Sequence, residues 1–201
     1  MSQSYWQADC LPIVKAAQDS AENWARVATF VILTIRQMFF LMPAQMQDVL
    51  SNGRDAVALF GFKQNGYDFI VANKESMWTR AIECKQSVIT LDDLILSYLA
   101  IPGLGIVKSS FLAQLTVGEG ACIDAHNLRV LGLGETAFRT PKRLTVGSLR
   151  KRIAAYREIW SAGGTSETWW DLWCDGLAAR FPARYGNGAT VSKLHRVAVG
   201  E

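Results

Sequence analysis

Proline is scarce in this chain, five in 201 residues, and charged side chains make up only 19% against 50% apolar. Both shortages exclude a generally disordered protein. Few positions interrupt regular structure, and there is enough apolar surface to offset the entropy lost on ordering one domain with a full core. Cysteine is sparse as well. The four, at positions 10, 84, 122 and 174, are widely separated, which excludes a zinc ribbon, an iron–sulfur loop and a dense disulfide framework. Reduced, mostly buried thiols and no metal site are therefore expected. No apolar run suits a membrane span: the longest, 27–42, contains Arg36 and Gln37 and stops at Pro43. The amino terminus carries no basic segment followed by an apolar core. Together these absences predict a cytoplasmic protein that does not engage a membrane.

Alternating polar and apolar residues never persist long enough to demand a sheet, whereas helical spacing recurs throughout, so the expected fold class is all-α in a single domain over 1–201. Ser20 or Asp19 is placed to cap a helix over Ala21–Met42, apolar nearly all round from Val27 onward and hence central. A short helix is expected over Ala44–Leu50. Residues 54–85 are interrupted by Gly61, Asn65-Gly66 and Asn73, a pattern that predicts turns with one or two brief helices. Thr90 caps Leu91–Ala100, Ile106–Thr116 follows a Pro-Gly turn, Asp124 caps Ala125–Leu131, and Thr145 caps Val146–Ala162. A last helix runs from Ser166 to about Arg180, and the tail from Ala183 is expected to be loosely attached.

Charge divides the chain. Residues 1–100 hold 8 basic and 10 acidic side chains, and residues 101–201 hold 13 and 8. Within the second half Arg139, Lys142, Arg143, Arg150, Lys151, Arg152 and Arg157 occur with no acid between them. Such a block is either a solvated helix face or a surface for a polyanion.

The segment from Leu91 to Gly134 carries the chemistry. Two helices joined by Pro102-Gly103-Leu104-Gly105 form a helical hairpin, in which the glycines allow a tight turn and bring backbone N–H groups beside the positive end of the second helix, where an anion fits. About twenty residues later comes Ile123-Asp124-Ala125-His126-Asn127-Leu128-Arg129-Val130, an apolar-Asp-x-His-x-x-Arg-Val pattern. Asp124 has two roles open to it, capping a helix and serving as a catalytic carboxylate, and the two are compatible.

Over about 44 residues this combination resembles the helix-hairpin-helix DNA glycosylases, the superfamily of endonuclease III and the 8-oxoguanine glycosylases. The hairpin matches at Pro102, Gly103 and Gly105, and the aspartate motif at Asp124, His126, Arg129 and Val130. The resemblance implies an all-helical, two-lobed fold with the base pocket between the lobes, DNA as partner, no cofactor, and Asp124 at the mouth of the pocket. It also implies a reaction: a fixed carboxylate stabilises the positive charge that builds on the sugar as an N-glycosidic bond breaks, or activates the attacking water. In lyase-type members a nucleophilic lysine stands two places after the last hairpin glycine. Here Val107 holds that place and Lys108 comes one later, about 100° further round the helix. Lys108 is thus a candidate both for the reaction and for a phosphate, and a lysine-independent reaction is expected. The four-cysteine cluster that closes endonuclease III has no counterpart after the basic block.

The wording around the hairpin and around Asp124 also looks like compact glycosylase-like proteins of bacteriophages, which would place the chain in the host cytoplasm. Some of these are amino acid:DNA transferases that attach glycine or serine to a pyrophosphorylated 5-hydroxymethyluracil, so an amino acid is a candidate co-substrate. A non-catalytic DNA-binding module is the third reading. The expected DNA-binding set is Pro102, Gly103, Gly105, Lys108, Arg139, Lys142, Arg143, Arg150 and Lys151. Candidates to hold an extruded base are Phe62, Tyr67 and Trp78 in the irregular 54–85 segment, with His126 and Asn127, while Arg129 is a support. Trp169, Trp170 and Trp173 crowd the last helix, where Trp169, Leu172, Trp173 and Gly176 have the spacing of a stripe read mainly as core. If four or five of the cations neutralise phosphates, log K for DNA plotted against log salt should have a slope of roughly −4, measurable by titration across a salt series.

Overall fold

The computed structural model describes residues 4–37, 41–57, 61–134, 136–140, 145–180 and 198. Every regular element among them is helical. The helices are α1 (Leu11–Asp19, entered through a π-helical turn at Trp6–Cys10), α2 (Ala21–Leu33), α3 (Met42–Asn52), α4 (Gly61–Lys85), α5 (Leu91–Tyr98), α6 (Ile106–Val117), α7 (Ala125–Val130), α8 (Val146–Ala162) and α9 (Ser166–Arg180). None is long and apolar enough to cross a membrane. The tail from 183, apart from Ala198, lies outside the described residues.

The caps fall where local chemistry puts them. Ser20, Thr90 and Thr145 each accept from the backbone N–H three residues on, at 3.2 Å, satisfying donors that a helix start leaves unpaired. As expected, α2 is central: Trp24, Val27, Phe30 and Val31 are fully buried, and the helix packs against α1, α3, α4 and α6. It ends at Leu33, however, not at Met42. The Thr34 hydroxyl bonds back to the Val31 carbonyl at 2.6 Å, Lys63 of α4 donates to the Leu33 carbonyl at 2.9 Å, and Arg36 takes a left-handed φ of 56°. Lys63 is 1% exposed, and burial, with the Lys108 charge nearby, pulls its ammonium down to about 8.

The largest departure from the sequence expectation is α4. Instead of turns and brief helices, residues 61–85 form one 25-residue helix. Its apparent breakers are absorbed. Asn73 donates its side-chain amide to the Phe69 carbonyl of the same helix at 2.8 Å. Gly66 lies where α4 crosses α2 and the hairpin, so tightly that a Cβ there would sit 2.4 Å from Ile32 Cδ1 and 2.6 Å from the Pro102 carbonyl oxygen. The glycine's propensity cost of about 1 kcal/mol is the condition for that approach.

The amino-terminal helix, which patterning does not single out, is fastened to α9. Ser4 donates to Glu167 at 2.6 Å, and the Trp6 amide donates to Asp171 at 2.9 Å. Between these elements Asp9 is fully buried, and neither carboxylate oxygen has a hydrogen-bond partner among the described residues. Burial therefore pushes its carboxyl up to about 7; the Trp170 indole opposes the shift without completing a hydrogen bond, and the Asp171 charge adds to it.

Two outcomes test this packing. Gly66→Ala, which would stabilise an exposed helix, is expected to lower the melting temperature by several degrees, because overpacking of about 1–3 kcal/mol exceeds the propensity gain. For Asp9, the unfolded chain loses its proton near pH 4 while the native state keeps it to about 7. Stability is therefore greatest at the acid end of that window and falls as pH rises through it. Asp9→Asn should flatten this dependence. Urea unfolding at about pH 4.5 and 8 should show the variant gaining on the native chain by up to about 3 kcal/mol between the two.

Candidate functional site

Helices α5 and α6 pack against each other as the expected hairpin. Gly103 makes its turn with φ 93° and lies against the Phe62 ring, which a Cβ at this position would meet at 2.7 Å. Gly105 precedes α6 in extended conformation, and the Ile106 N–H at the start of α6 donates to Thr140 Oγ1 at 3.1 Å. The side of the turn at Gly103 and one N–H at the head of α6 are thus occupied by the protein itself.

The stretch that delivers Asp124 has no helix or strand of its own, and it is held by side chains from four places. The Tyr156 hydroxyl accepts from the Ile123 N–H at 2.8 Å and donates to the Ala121 carbonyl at 2.7 Å. Ser110 accepts from the Ala121 N–H at 3.1 Å, Ser166 donates to the Gly120 carbonyl at 2.8 Å, and Asn127 donates to the Cys122 carbonyl at 2.8 Å. Asp124 then begins α7, its Oδ1 accepting from the Asn127 N–H at 3.2 Å. The capping role is real, and it leaves the carboxylate half-buried at the edge of a recess.

That recess has a cavity volume of about 90 Å³, about three waters at their share of liquid volume and on the scale of a single six-membered ring. Lys108, Phe111 and Gln114 of α6 line it with Cys122, Asp124 and, from α9, Trp169, Trp170 and Trp173. Thr34 and Gln37, just past α2, also line it. Lys108 and Asp124 also line a more open trough of about 320 Å³ that runs past Gly105, Phe138 and Arg139. The two charged side chains therefore stand where an enclosed space meets an open one.

Lys108 is directed into this site despite its one-residue displacement. Its Nζ lies 4.0 Å from Cys122 Sγ and 4.9 Å from the centroid of the Phe111 ring, a cation–π arrangement. Burial pushes the Cys122 thiol up to about 12, with Lys108 opposing and Asp124 adding to the shift. The thiol is neutral at physiological pH and is a poor nucleophile. Behind the recess, Phe111 stacks on Trp170 at 6.2 Å and Trp170 leans on Trp173 at 5.2 Å.

Several expected site residues lie elsewhere. Phe62, Tyr67 and Trp78 are on α4 rather than in an irregular segment, and none lines this recess. Phe62 packs on the hairpin turn, Tyr67 packs against the core, and Trp78 donates its indole N–H to the Gln18 carbonyl at 3.3 Å. Asn127 is buried and braces the Asp124 stretch instead of facing the cavity. The side chain of His126 lies outside the described residues, and Arg129 sits exposed on α7. The tryptophans of α9, expected as core, are both core and wall: Trp169 and Trp170 are 3% exposed and still line the recess. Cys122, Gln114, Ser110 and Tyr156 were not legible as site residues, since their spacing from Asp124 carries no periodic signal.

The basic block is also less free than its sequence implies. Arg150 pairs with Asp93 at 2.6 Å and Arg157 with Asp92 at 3.0 Å, both acids belonging to α5. Arg152 donates to the Arg139 carbonyl at 3.3 Å. Arg139 and Lys151 are exposed, and Lys142 and Arg143 lie outside the described residues. Set against models of known families, curated proteins and solved structures, the chain matches none.

Proposed function

We propose that this protein binds DNA and acts on a single extruded base, as an enzyme of the helix-hairpin-helix glycosylase type. The observation that carries the reading is the shared position of Asp124 and Lys108 at the junction of an aromatic-walled recess and an open trough beside the hairpin. A flipped base fills the recess against Trp169 and Trp170, and its sugar and flanking phosphates occupy the trough toward Arg139. In the two-lobed arrangement that the sequence resemblance implies, the recess is the cleft between the lobes.

In glycosidic cleavage the C1′–N bond breaks, its electron pair leaves with the base, and positive charge develops on the sugar. Asp124 lies at the mouth of the recess, where its carboxylate stabilises that charge and takes a proton from the water whose oxygen bonds to C1′. Lys108 stands on the same rim and offers a cation to a carbonyl of the departing base or to the adjacent phosphate. The Phe111 ring beside it holds the ammonium at this rim by a cation–π contact.

A second reading draws on the same charge pair. An amino acid carries one carboxylate and one amine, and Lys108 and Asp124 supply an opposite charge for each. In that reaction the amine nitrogen bonds to the methylene carbon of the modified base, the C–O bond breaks with pyrophosphate leaving, and Asp124 takes the proton from the amine.

Product analysis separates the two. Free base and an abasic site indicate excision; an intact backbone with a heavier nucleoside indicates transfer. In either case Asp124→Asn is expected to cut turnover by about 10²- to 10⁴-fold while leaving DNA affinity within a few-fold of native. Unchanged product formation by this variant would remove Asp124 from the mechanism.

A further inference from the structure

One residue of the recess wall carries a polar atom that the protein leaves unserved. Gln114 of α6 is 1% exposed and lines the recess. Its amide nitrogen donates to the Ser166 carbonyl, at the first residue of α9, at 3.0 Å. A backbone carbonyl only accepts, so this bond decides which end of the amide is nitrogen and which is oxygen. The remaining end, Oε1, is buried and has no hydrogen-bond partner among the described residues. Buried acceptors without a partner are few in native proteins, and one lining a cavity points to a donor that arrives with a ligand.

The surroundings narrow what that donor is. Trp169, Trp170 and Phe111 give the recess flat, apolar walls, which favour a planar ring over a chain or a sugar. Lys108 on the same wall has only donors to offer. One fixed acceptor and one cationic donor against aromatic faces complement a heterocycle edge that presents an N–H beside a carbonyl oxygen or a ring nitrogen. We infer that Gln114 Oε1 accepts an N–H of the extruded base and thereby selects the heterocycle that the recess admits. This assignment rests on the proposed action on an extruded base. Gln114 is in this view a specificity-determining residue: its amide is oriented by α9, and it acts on the ring edge, away from the sugar bond.

Two base edges share this chemistry, the ring imide of a uracil-type base and the exocyclic amine of a cytosine-type base, and methylation tells them apart. The full-length chain is titrated with duplexes carrying one unopposed uracil, N3-methyluracil, cytosine or N4,N4-dimethylcytosine. In parallel, the quenching of its tryptophan fluorescence by uridine and by N3-methyluridine is followed. The expected result is that one unmethylated base binds at least about tenfold more tightly than its methylated form, since the methyl group removes the donor and leaves Oε1 unpaired. The pair showing the difference names the edge. Gln114→Met should bind both members of that pair alike, at the weaker affinity. The analogues change only the ligand, so the first comparison holds whether or not the variant folds.

Equal binding within both pairs by the native chain would overturn the assignment, and tight DNA binding in the same experiment would leave the base-directed reading in place. Discrimination between the nucleosides without DNA binding would uphold Gln114 and remove the DNA reading. Failure to bind either duplexes or nucleosides removes both.

Discussion

One buried hydroxyl organises the candidate site. Tyr156 of α8 reaches a stretch of backbone that has no helix or strand to complete it, accepting from Ile123 and donating to Ala121. A backbone N–H and C=O left unpaired at this depth would each carry a desolvation cost comparable to a lost hydrogen bond. The phenol can serve both only while it keeps its proton, and full burial pushes its ionisation well above the ordinary range. Ser110, Ser166 and Asn127 hold the neighbouring groups. The carboxylate that follows is therefore presented by a braced segment rather than by a mobile loop, as a preorganised site requires.

Around that carboxylate the protein has assembled a low-polarity surface with a small number of charges. Trp169 is wedged against Gly163, where a Cβ would meet the indole at 2.3 Å, and its N–H donates to the Trp160 carbonyl at 2.7 Å. The α9 tryptophans thus secure the α8–α9 connection and present ring faces to the recess. Core packing and ligand contact need not be alternatives for a large aromatic side chain, because one face can be buried in protein while the other closes a cavity. Lys108 and Asp124 stand half-buried at the rim, where the recess opens into the trough.

The pairing of α5 with α8 sets a competition for the cationic surface. Arg150 and Arg157 already have carboxylate partners in Asp93 and Asp92. Both arginines are about half exposed, at 51% and 46%, but their partners are less so, at 28% and 16%, so a phosphate that drew Arg157 away would leave the more buried carboxylate of Asp92 without its cation. A polyanion approaching this face meets a net charge smaller than the block of seven cations in the sequence.

What the sequence by itself determined is local chemistry. The hydroxyl caps at Ser20, Thr90 and Thr145, the limits of α8 and α9, the Pro-Gly hairpin and the capping position of Asp124 all follow from residues within a few places of each other, and all stand in the structure. The helical fold class follows from periodicity in the same way. Tertiary structure decided the rest. Gly66 and Asn73 read as helix breakers because their compensations, a close helix crossing in one case and a side-chain bond within the helix in the other, leave no mark on propensity. Arg150 meets Asp93 across 57 residues, and Tyr156 meets Ile123 across 33; spacing carries no record of either contact. Which aromatic faces the cavity, and where a displaced lysine points, depends on how helices distant in the chain are set against one another, and only burial of the common core fixes that.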